Sequence, residues 1–340
     1  MKTAIVNDDR KALEVLCDLM GQVQGLDIIW TAGAGEKAIE KARANPPQLI
    51  LMDLHMPGIS GVQATRVIMQ EHPCAILLVS SSVENSTSMI FEAMGQGALD
   101  VVSTPHYDAN GALVGQEAFL KKVERIRRYI EKRDARPEMH SMLQETEGAA
   151  SPVMPPLVAI GASTGGPKAM LTLLSSLPAD YPAAIIIVQH VDSQFVQGLV
   201  EWLDRQCPLL VAHAEAGKMP SPSKVYVAHT DSHLIVDENR CFAYQAGDPQ
   251  TVYQPSIDTC FQSLAFHWPK PGLGVILTGM GKDGAKGLLQ LKEKGWKTIA
   301  QDQSTSIVYG MPRAAVKLDA AGQVLPLHEI AQIMRNYAGR

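Results

Sequence analysis

Short apolar runs that alternate with amphipathic segments form the main pattern along this chain. In the first third, residues 3–6, 49–52 and 75–79 are such runs, and amphipathic stretches follow them up to about residue 134. Runs without a polar face are typical of parallel strands that helices cover on both sides. The pattern predicts an α/β fold, with a five-stranded, doubly wound unit of the flavodoxin-like (βα)5 type over residues 1–134.

The second half repeats this architecture without repeating the sequence. Apolar runs at 157–160, 183–188 and 273–277 predict a second doubly wound, mostly parallel α/β domain over residues 157–340. Between the two halves, residues 135–156 lose apolar periodicity and end in prolines, which is typical of a linker. A length of 340 residues with 46% hydrophobic content is enough for two cores.

Composition narrows the class of protein. A net charge of -5 gives no basic footprint for nucleic acid. The five cysteines are scattered without a C-x-x-C pair, which argues against a disulfide framework or a zinc site and favours a reducing compartment. No secretory signal is apparent, and no apolar run approaches the ~20 residues of a membrane span. We therefore expect a cytoplasmic protein that neither binds nucleic acid nor inserts into a membrane.

The turn after the run at 157–160 carries the first candidate for catalysis. It reads GASTGGP and places Ser163 in a G-x-S-x-G pattern, in which glycines permit a sharp turn and following amides face developing negative charge. A phosphate loop fits less well, because Pro167 stands where its lysine is required, and the dinucleotide pattern fails at Ser163. A glycine turn without chemistry remains an alternative.

A serine nucleophile needs a base and an orienting carboxylate, and two strand ends supply them. His190 follows the run at 183–188, and Asp283 lies in TGMGKDG after the run at 273–277. Carboxyl ends of parallel strands share one edge of a sheet, so both can converge with Ser163. Asp283 can instead cap the following helix. Other histidines of the chain remain formal competitors for the role of base, namely His213, His229, His233 and His267.

Three acids in the first half form a second constellation. Asp8 and Asp9 follow the run at 3–6, and Asp53 follows the run at 49–52. Adjacent parallel strands would bring these carboxylates together as a hard oxygen site suited to Mg²⁺. Three solvated loop acids are the alternative.

Longer motifs then point to one family across nearly the whole chain. They are LMDLHMPG around Asp53, GALD at 97–100, GASTGGP, QH at 189–190, QPSID at 254–258, ILTGMGKDGA at 276–285 and YGMPRAA at 309–315. With these, the chain resembles the chemotaxis response regulator protein-glutamate methylesterases, in which a phosphorylatable receiver is joined to a serine esterase domain.

For the second half, the resemblance implies the catalytic triad Ser163, His190 and Asp283, with Thr164 and Met280 supporting the oxyanion or substrate and no cofactor for catalysis. The implied reaction is hydrolysis of glutamate γ-methyl esters, with deamidation of glutamine, on the cytoplasmic helices of methyl-accepting chemoreceptors. The result would be receptor adaptation in a chemotaxis-like pathway. Two other functions stay open, a non-enzymatic two-component regulator and a small-molecule serine esterase.

For the first half, the resemblance implies phosphorylation of Asp53 by a chemotaxis-type histidine kinase. Asp8 and Asp9 would help Asp53 to hold Mg²⁺, and Ser80 would be the switch hydroxyl. The sequence departs from the family pattern at Thr104, where receivers carry a lysine that contacts the phosphoryl group. We therefore expect phosphorylation to control the esterase less strongly here.

Overall fold

The computed structural model describes residues 1–80, 83–108, 110–133, 155–229, 232–247 and 253–337. The chain divides into two compact units, Met1–Pro137 and Glu138–Arg340. The linker predicted at 135–156 lies outside the described residues, apart from residues 155 and 156.

The N-terminal unit is a parallel sheet with strand order β2-β1-β3-β4-β5. This order confirms the flavodoxin-like fold. Its elements are β1 (Lys2–Val6), α1 (Arg10–Gly21), β2 (Asp27–Ala32), α2 (Gly35–Ala44), β3 (Leu49–Asp53), α3 (Gly61–Glu71), β4 (Ala75–Ser80), α4 (Val83–Gln96), β5 (Asp100–Ser103), the small hairpin strands β6 (His106–Tyr107) and β7 (Leu113–Val114), and α5 (Gln116–Arg133).

The apolar run that predicted β3 is buried along its whole length, because β1 and β4 pair with its two sides and helices cover its faces. Local capping then fixes where helices begin. Asp9 caps α1 by accepting the N–H of Lys11, and Ser60 and Gln63 form a capping box at the start of α3. These caps determine where the loops that follow β1 and β3 end.

The C-terminal unit contains a seven-stranded sheet with order β10-β11-β9-β8-β14-β15-β16, in which every pairing is parallel. A separate antiparallel hairpin joins β12 to β13. The elements are β8 (Leu157–Ala162), α6 (Gly166–Leu174), β9 (Ala184–Gln189), α7 (Ser193–Gln206), β10 (Leu210–His213), β11 (Lys224–Val227), β12 (His233–Val236), β13 (Phe242–Gln245), α8 (Ile257–His267), β14 (Leu273–Ile276), α9 (Ala285–Glu293), β15 (Lys297–Gln301), α10 (Met311–Lys317), β16 (Gln323–Leu325) and α11 (Leu327–Tyr337).

Strand β8 lies at the centre of this sheet, between β9 and β14. The chain leaves β8 towards β9 on one side and returns to β14 on the other. Loops that follow neighbouring strands at such a reversal diverge and leave a crevice, where ligands bind in open α/β sheets. The loops after β8, β9 and β14 carry Ser163, His190 and Asp283. Among the described helices, none is long and apolar enough to cross a membrane.

Candidate active site

Ser163 lies one residue beyond β8, in a turn that glycines make possible. Gly165 has φ +80° and forms the N-cap of α6, and a Cβ there would lie 2.8 Å from the Ile307 side chain. The Ser163 N–H donates to the carbonyl of Thr278 at 3.1 Å, which ties the turn to the end of β14. The Ser163 amide is thus used structurally, while its hydroxyl lies at the carboxyl edge of the sheet.

His190 occupies the matching position on the neighbouring strand. Its N–H donates to the carbonyl of Ala162 at 3.0 Å, which continues the β8–β9 register to the level of Ser163. The ring Nε2 is hydrogen-bonded to Oδ2 of Asp283 at 2.8 Å, whereas the buried Nδ1 has no hydrogen-bond partner among the described residues. Nδ1 is therefore the ring nitrogen available to accept a proton. No hydrogen bond joins it to Ser163 Oγ within the described structure, and in substrate-free enzymes such contacts are often loose.

Asp283 lies in the loop between β14 and α9, and its carboxylate reaches the N-terminus of α8. Its carboxylate accepts the Ser256 hydroxyl at 3.0 Å, the Ile257 N–H at 2.7 Å and the Asp258 N–H at 3.1 Å, besides the His190 ring. Burial by itself would raise the pKa of Asp283, but the hydrogen bond and charge of His190, together with the helix N–H groups, hold that pKa below its ordinary value. The group therefore stays ionised and orients the imidazole.

Asp258 in turn caps α9, because its Oδ1 accepts the N–H of Gly287 in the first turn of that helix at 2.7 Å. Helices α8 and α9 thus exchange caps through Asp258 and Asp283. Burial, with the nearby Asp283 charge, raises the pKa of Asp258 to about 6, although N–H groups of α9 oppose this. The QPSID motif contains Asp258 and Ser256, but the sequence alone assigned neither of them a role.

Tyr253 is a site residue that sequence reasoning missed. Its ring stacks on the His190 imidazole with centroids 4.7 Å apart and planes at 12°. Its hydroxyl lies against Gly281, where φ is +91° and an added Cβ would lie 2.0 Å from that oxygen. No spacing rule marks this tyrosine, since it reaches His190 only through the fold.

The four competing histidines have other surroundings. His233 Nδ1 accepts the Ser256 N–H at 3.0 Å, and His213 Nε2 is bonded to Gln197 Oε1 at 2.6 Å. His229 packs edge-on against His213, and His267 ends α8 at an exposed position. In the described part of the chain, none of these four is hydrogen-bonded to a carboxylate. His190 differs from them in its hydrogen bond to the carboxylate of Asp283.

The predicted oxyanion residues flank the same turn. Gly279 lets the β14 loop approach Ser163, because an added Cβ would lie 2.7 Å from Ser163 Cβ. Met280 follows it, half-buried, and its N–H makes no hydrogen bond within the described chain. Thr164 is buried, and its carbonyl accepts the Thr278 hydroxyl at 2.9 Å.

In the N-terminal unit, Asp53 ends β3 and its Oδ1 accepts the N–H groups of Leu54 at 2.6 Å and His55 at 3.3 Å. Burial, with a smaller contribution from the charge of Asp8, raises the pKa of Asp53 to about 6, although the two N–H groups oppose the shift. Asp9 points elsewhere, since its Oδ1 accepts the N–H of Lys11 at 2.9 Å.

Among the described residues, no group of three or more His, Cys, Asp or Glu side chains is placed to hold a metal ion. Asp9 uses its Oδ1 to cap α1, and its part in the expected three-carboxylate site stays a prediction. Asp8 and Asp53 are still close enough for one charge to act on the other. Such an acidic pair fits Mg²⁺, which is commonly held by one or two carboxylates and waters.

The two switch positions end the neighbouring strands. Ser80 closes β4, Thr104 follows β5, and the Thr104 N–H donates to the Ser80 carbonyl at 2.9 Å. Both residues are buried. The structure therefore places Asp53, Ser80 and Thr104 at the carboxyl edge of one sheet, on three consecutive strands.

Comparison with known families agrees with this geometry. Residues 158–334 match the family model of the CheB methylesterase, and residues 3–110 match that of the response regulator receiver domain. The chain belongs to the CheB methylesterase family. A CheB methylesterase combines a hydrolase domain with a receiver, so the fold and the enzyme class predicted from sequence are confirmed.

Relatives cover nearly the full length. This methylesterase is 45% identical over 331 residues to the protein-glutamate methylesterase/protein-glutamine glutaminase 2 of Cupriavidus metallidurans, covering 97% of this chain and 96% of that protein. A Bordetella avium protein with the same name, numbered 1, is 44% identical, covering 97% and 95%. The crystal structure of the Thermotoga maritima CheB catalytic domain matches with TM-score 0.51 and 35% identity, covering 54% of this chain and 100% of that chain.

Proposed function

We propose that this methylesterase hydrolyses glutamate γ-methyl esters on the cytoplasmic helices of methyl-accepting chemoreceptors, and that it deamidates glutamine there. Ser163 is the nucleophile, His190 the base and Asp283 the orienting carboxylate. The observation that carries the proposal is the 2.8 Å hydrogen bond from His190 Nε2 to Asp283, which leaves Nδ1 as the basic nitrogen at the level of Ser163. The names of the full-length relatives support the substrate class.

The acylation half of the reaction follows from this arrangement. Ser163 Oγ attacks the ester carbonyl while its proton moves to His190 Nδ1, and the charged imidazole is stabilised by Asp283. We assign the Met280 N–H as a donor to the oxyanion of the tetrahedral intermediate, which is supported by its lack of a hydrogen-bond acceptor within the described chain. Collapse of the intermediate breaks the bond to the methoxy group, which takes the proton from His190 and leaves as methanol.

Deacylation repeats the same steps with water as the nucleophile. His190 Nδ1 accepts a proton from water as its oxygen attacks the acyl-serine, and it then returns the proton to Ser163 Oγ. The receptor glutamate is released as a free acid. With glutamine as substrate, the leaving group of acylation is ammonia in place of methanol.

We further propose that phosphorylation of Asp53 by a chemotaxis-type histidine kinase regulates this activity and so gives receptor adaptation. The receiver match supports this part of the proposal. Asp8 and Asp53 would hold Mg²⁺, which supplies positive charge to neutralise the phosphoryl oxygens. The buried hydroxyls of Ser80 and Thr104 lie on the adjacent strand ends.

Methanol release from methylated receptor membranes tests the proposed chemistry. Ser163→Ala and His190→Ala should each lower kcat by on the order of 10⁴ or more, and the losses should not add in the double variant. Asp283→Asn should retain somewhat more activity. Ser175→Ala is the matched control, because this exposed serine lies on the far end of α6 and donates only to the carbonyl of Leu171.

Other outcomes separate the alternatives. Near-wild-type methanol release by Ser163→Ala would remove the serine mechanism and favour a non-enzymatic regulator. Ser163-dependent cleavage of small esters without release of methanol from receptors would instead identify a small-molecule esterase.

A further inference from the structure

We propose that His233 is a positioning residue for the catalytic carboxylate. Its unprotonated Nδ1 holds the N–H of Ser256 and thereby keeps the first turn of α8 directed at Asp283. The inference rests on the proposed function, since it gives His233 a role in the same Ser163 chemistry.

The contacts form a continuous chain from hairpin to base. The Ser256 N–H donates to His233 Nδ1 at 3.0 Å, and the Ser256 hydroxyl donates to Asp283 Oδ1 at 3.0 Å. The other carboxylate oxygen of Asp283 is bonded to His190 Nε2 at 2.8 Å. Ser256 therefore links the two histidines. Its backbone N–H binds His233, and its hydroxyl binds Asp283, which in turn is bonded to His190.

Ser256 makes several hydrogen bonds at the same time. It is the N-cap of α8, and its Oγ also accepts the N–H of Thr259 at 3.3 Å. Its own N–H is buried, so without an acceptor it would be an unsatisfied donor inside the protein. His233 is the group that satisfies it. A shift of Ser256 to find another acceptor would move the hydroxyl and the N–H groups that hold Asp283.

Strand pairing and burial fix the position of His233 in the hairpin. The residue begins β12, where it is paired with Gln245 of β13, and its side chain is 4% exposed. A second bond fixes β12 to the same helix, because the Val236 N–H donates to Ser263 Oγ at 3.0 Å. Hairpin and helix are thus joined at both ends of the strand.

The protonation state of His233 fits this role. An acceptor at Nδ1 must lack a proton, so the neutral ring carries its hydrogen on Nε2. Burial lowers the pKa of His233 below 6.5, although the negative charge of Asp283 opposes the shift. The ring therefore remains an acceptor at neutral pH. A role as general base is not consistent with this contact, because Nδ1 already binds a backbone N–H.

Two substitutions of His233 test whether its hydrogen-bond acceptor, and not only its volume, holds Ser256 in place. His233→Ala removes the acceptor, whereas Asn can place its Oδ1 where Nδ1 stands and accept the same N–H. His267→Ala is the control, since this exposed histidine ends the same helix. In the intact chain we would measure kcat and KM for methanol release, and the low-field proton NMR signal of the His190–Asp283 hydrogen bond.

We expect His233→Ala to lower kcat between about tenfold and 100-fold with little change in KM, the scale of loss when catalytic groups are misplaced by about 1 Å. The low-field proton signal should shift or disappear. His233→Asn should restore both, and His267→Ala should change neither.

The proposal is overturned if His233→Ala keeps wild-type kcat and an unshifted proton signal. It is also overturned if folded His233→Asn loses tenfold or more of the wild-type kcat, a criterion that stays decisive should His233→Ala not fold. Failure of the proposed function would show differently, as methanol release that survives Ser163→Ala. In that case the proton signal, which requires no turnover, still decides whether His233 positions Asp283.

Discussion

At the scale of single residues, the buried carboxylate of Asp53 forms no ion pair with a lysine or arginine of the described residues. Its pKa of about 6 reflects burial first and the repulsion of Asp8 as well, and the favourable charge acting on it among the described residues is that of His55. Arg10 does not supply this missing positive charge, since it is exposed and paired with Glu14. Thr104 stands where family receivers place a lysine. A neutral hydroxyl cannot replace the charge that an ammonium would bring.

Thr104→Lys should therefore lower the pKa of Asp53, because a nearby ammonium favours the ionised carboxylate. It should also increase the stimulation of the esterase by a small phosphodonor with Mg²⁺, which we expect to be modest in the wild type. A pH titration of the Asp53 carboxyl carbon by ¹³C NMR measures the first effect, and methanol release measures the second. Thr104→Met is the matched control, since it adds length without charge. Equal effects of Met and Lys would rule out the charge as the cause.

The sequence predicted the candidate triad because each of its residues follows an apolar strand, and such strand ends meet at one edge of a parallel sheet. Ser163, His190 and Asp283 are of this kind. Tyr253, Ser256 and His233 could not be predicted in the same way. Their roles depend on how a hairpin and the start of α8 pack against the loop that carries Asp283, which no local pattern encodes.

At the scale of elements, the helices after β8 and β14 begin in the same unusual manner. The N-cap of α6 is Gly165 with φ +80°, and the N-cap of α9 is Gly284 with φ +86°. Neither cap supplies a side-chain hydrogen bond, so the glycines serve geometry and not capping chemistry. Each permits the chain to turn sharply into a helix, with Ser163 two residues before the first glycine and Asp283 directly before the second.

Gly284→Ala should cost about 2 to 4 kcal/mol of unfolding free energy. About 1 kcal/mol comes from the positive φ, and the rest comes from overpacking. The added Cβ would lie 2.5 Å from the Ile276 side chain and 2.7 Å from that of Ile257, the residue whose N–H binds Asp283. Denaturant unfolding of the intact chain measures the loss.

Gly217→Ala is the matched control, because Gly217 has φ +80° and nothing within 4 Å of an added Cβ. It should cost only the part due to positive φ, about 1 kcal/mol. Equal losses at the two positions would show that Ile257 and Ile276 yield to the methyl group, and that packing around Asp283 is softer than the distances indicate.

Element bounds were predictable where an apolar run is fully buried, as for β8 and β9. The predicted runs at 157–160 and 183–188 became Leu157–Ala162 and Ala184–Gln189, so the strands extend one or two residues towards the reactive side chains. The hairpin β12–β13 had no such signal. Its strands have four residues each and are joined by DENRC, where Arg240 has φ +66°. Short pairings of this kind are set by tertiary contact more than by periodicity.

At the scale of the whole molecule, the chain consists of two units that each have their own sheet and core. The first bears the candidate phosphorylation site and the second bears the candidate triad. We predict that the receiver restrains the hydrolase and that modification of Asp53 relieves this restraint, as a shift between two populations. The segment 135–156, predicted to be a linker, is where the two activities can be separated.

Cutting within residues 135–156 should therefore yield a folded C-terminal fragment that releases methanol from receptor membranes faster than the unphosphorylated intact chain. The reason is that the fragment keeps Ser163, His190 and Asp283 on one sheet but loses the receiver. Rates per mole of fragment and of intact chain, with and without a phosphodonor, measure the effect. The same fragment with Ser163→Ala controls for contaminating esterase. A folded fragment no faster than the intact chain would show that the receiver does not restrain the hydrolase, and phosphorylation would then have to act by improving the enzyme directly.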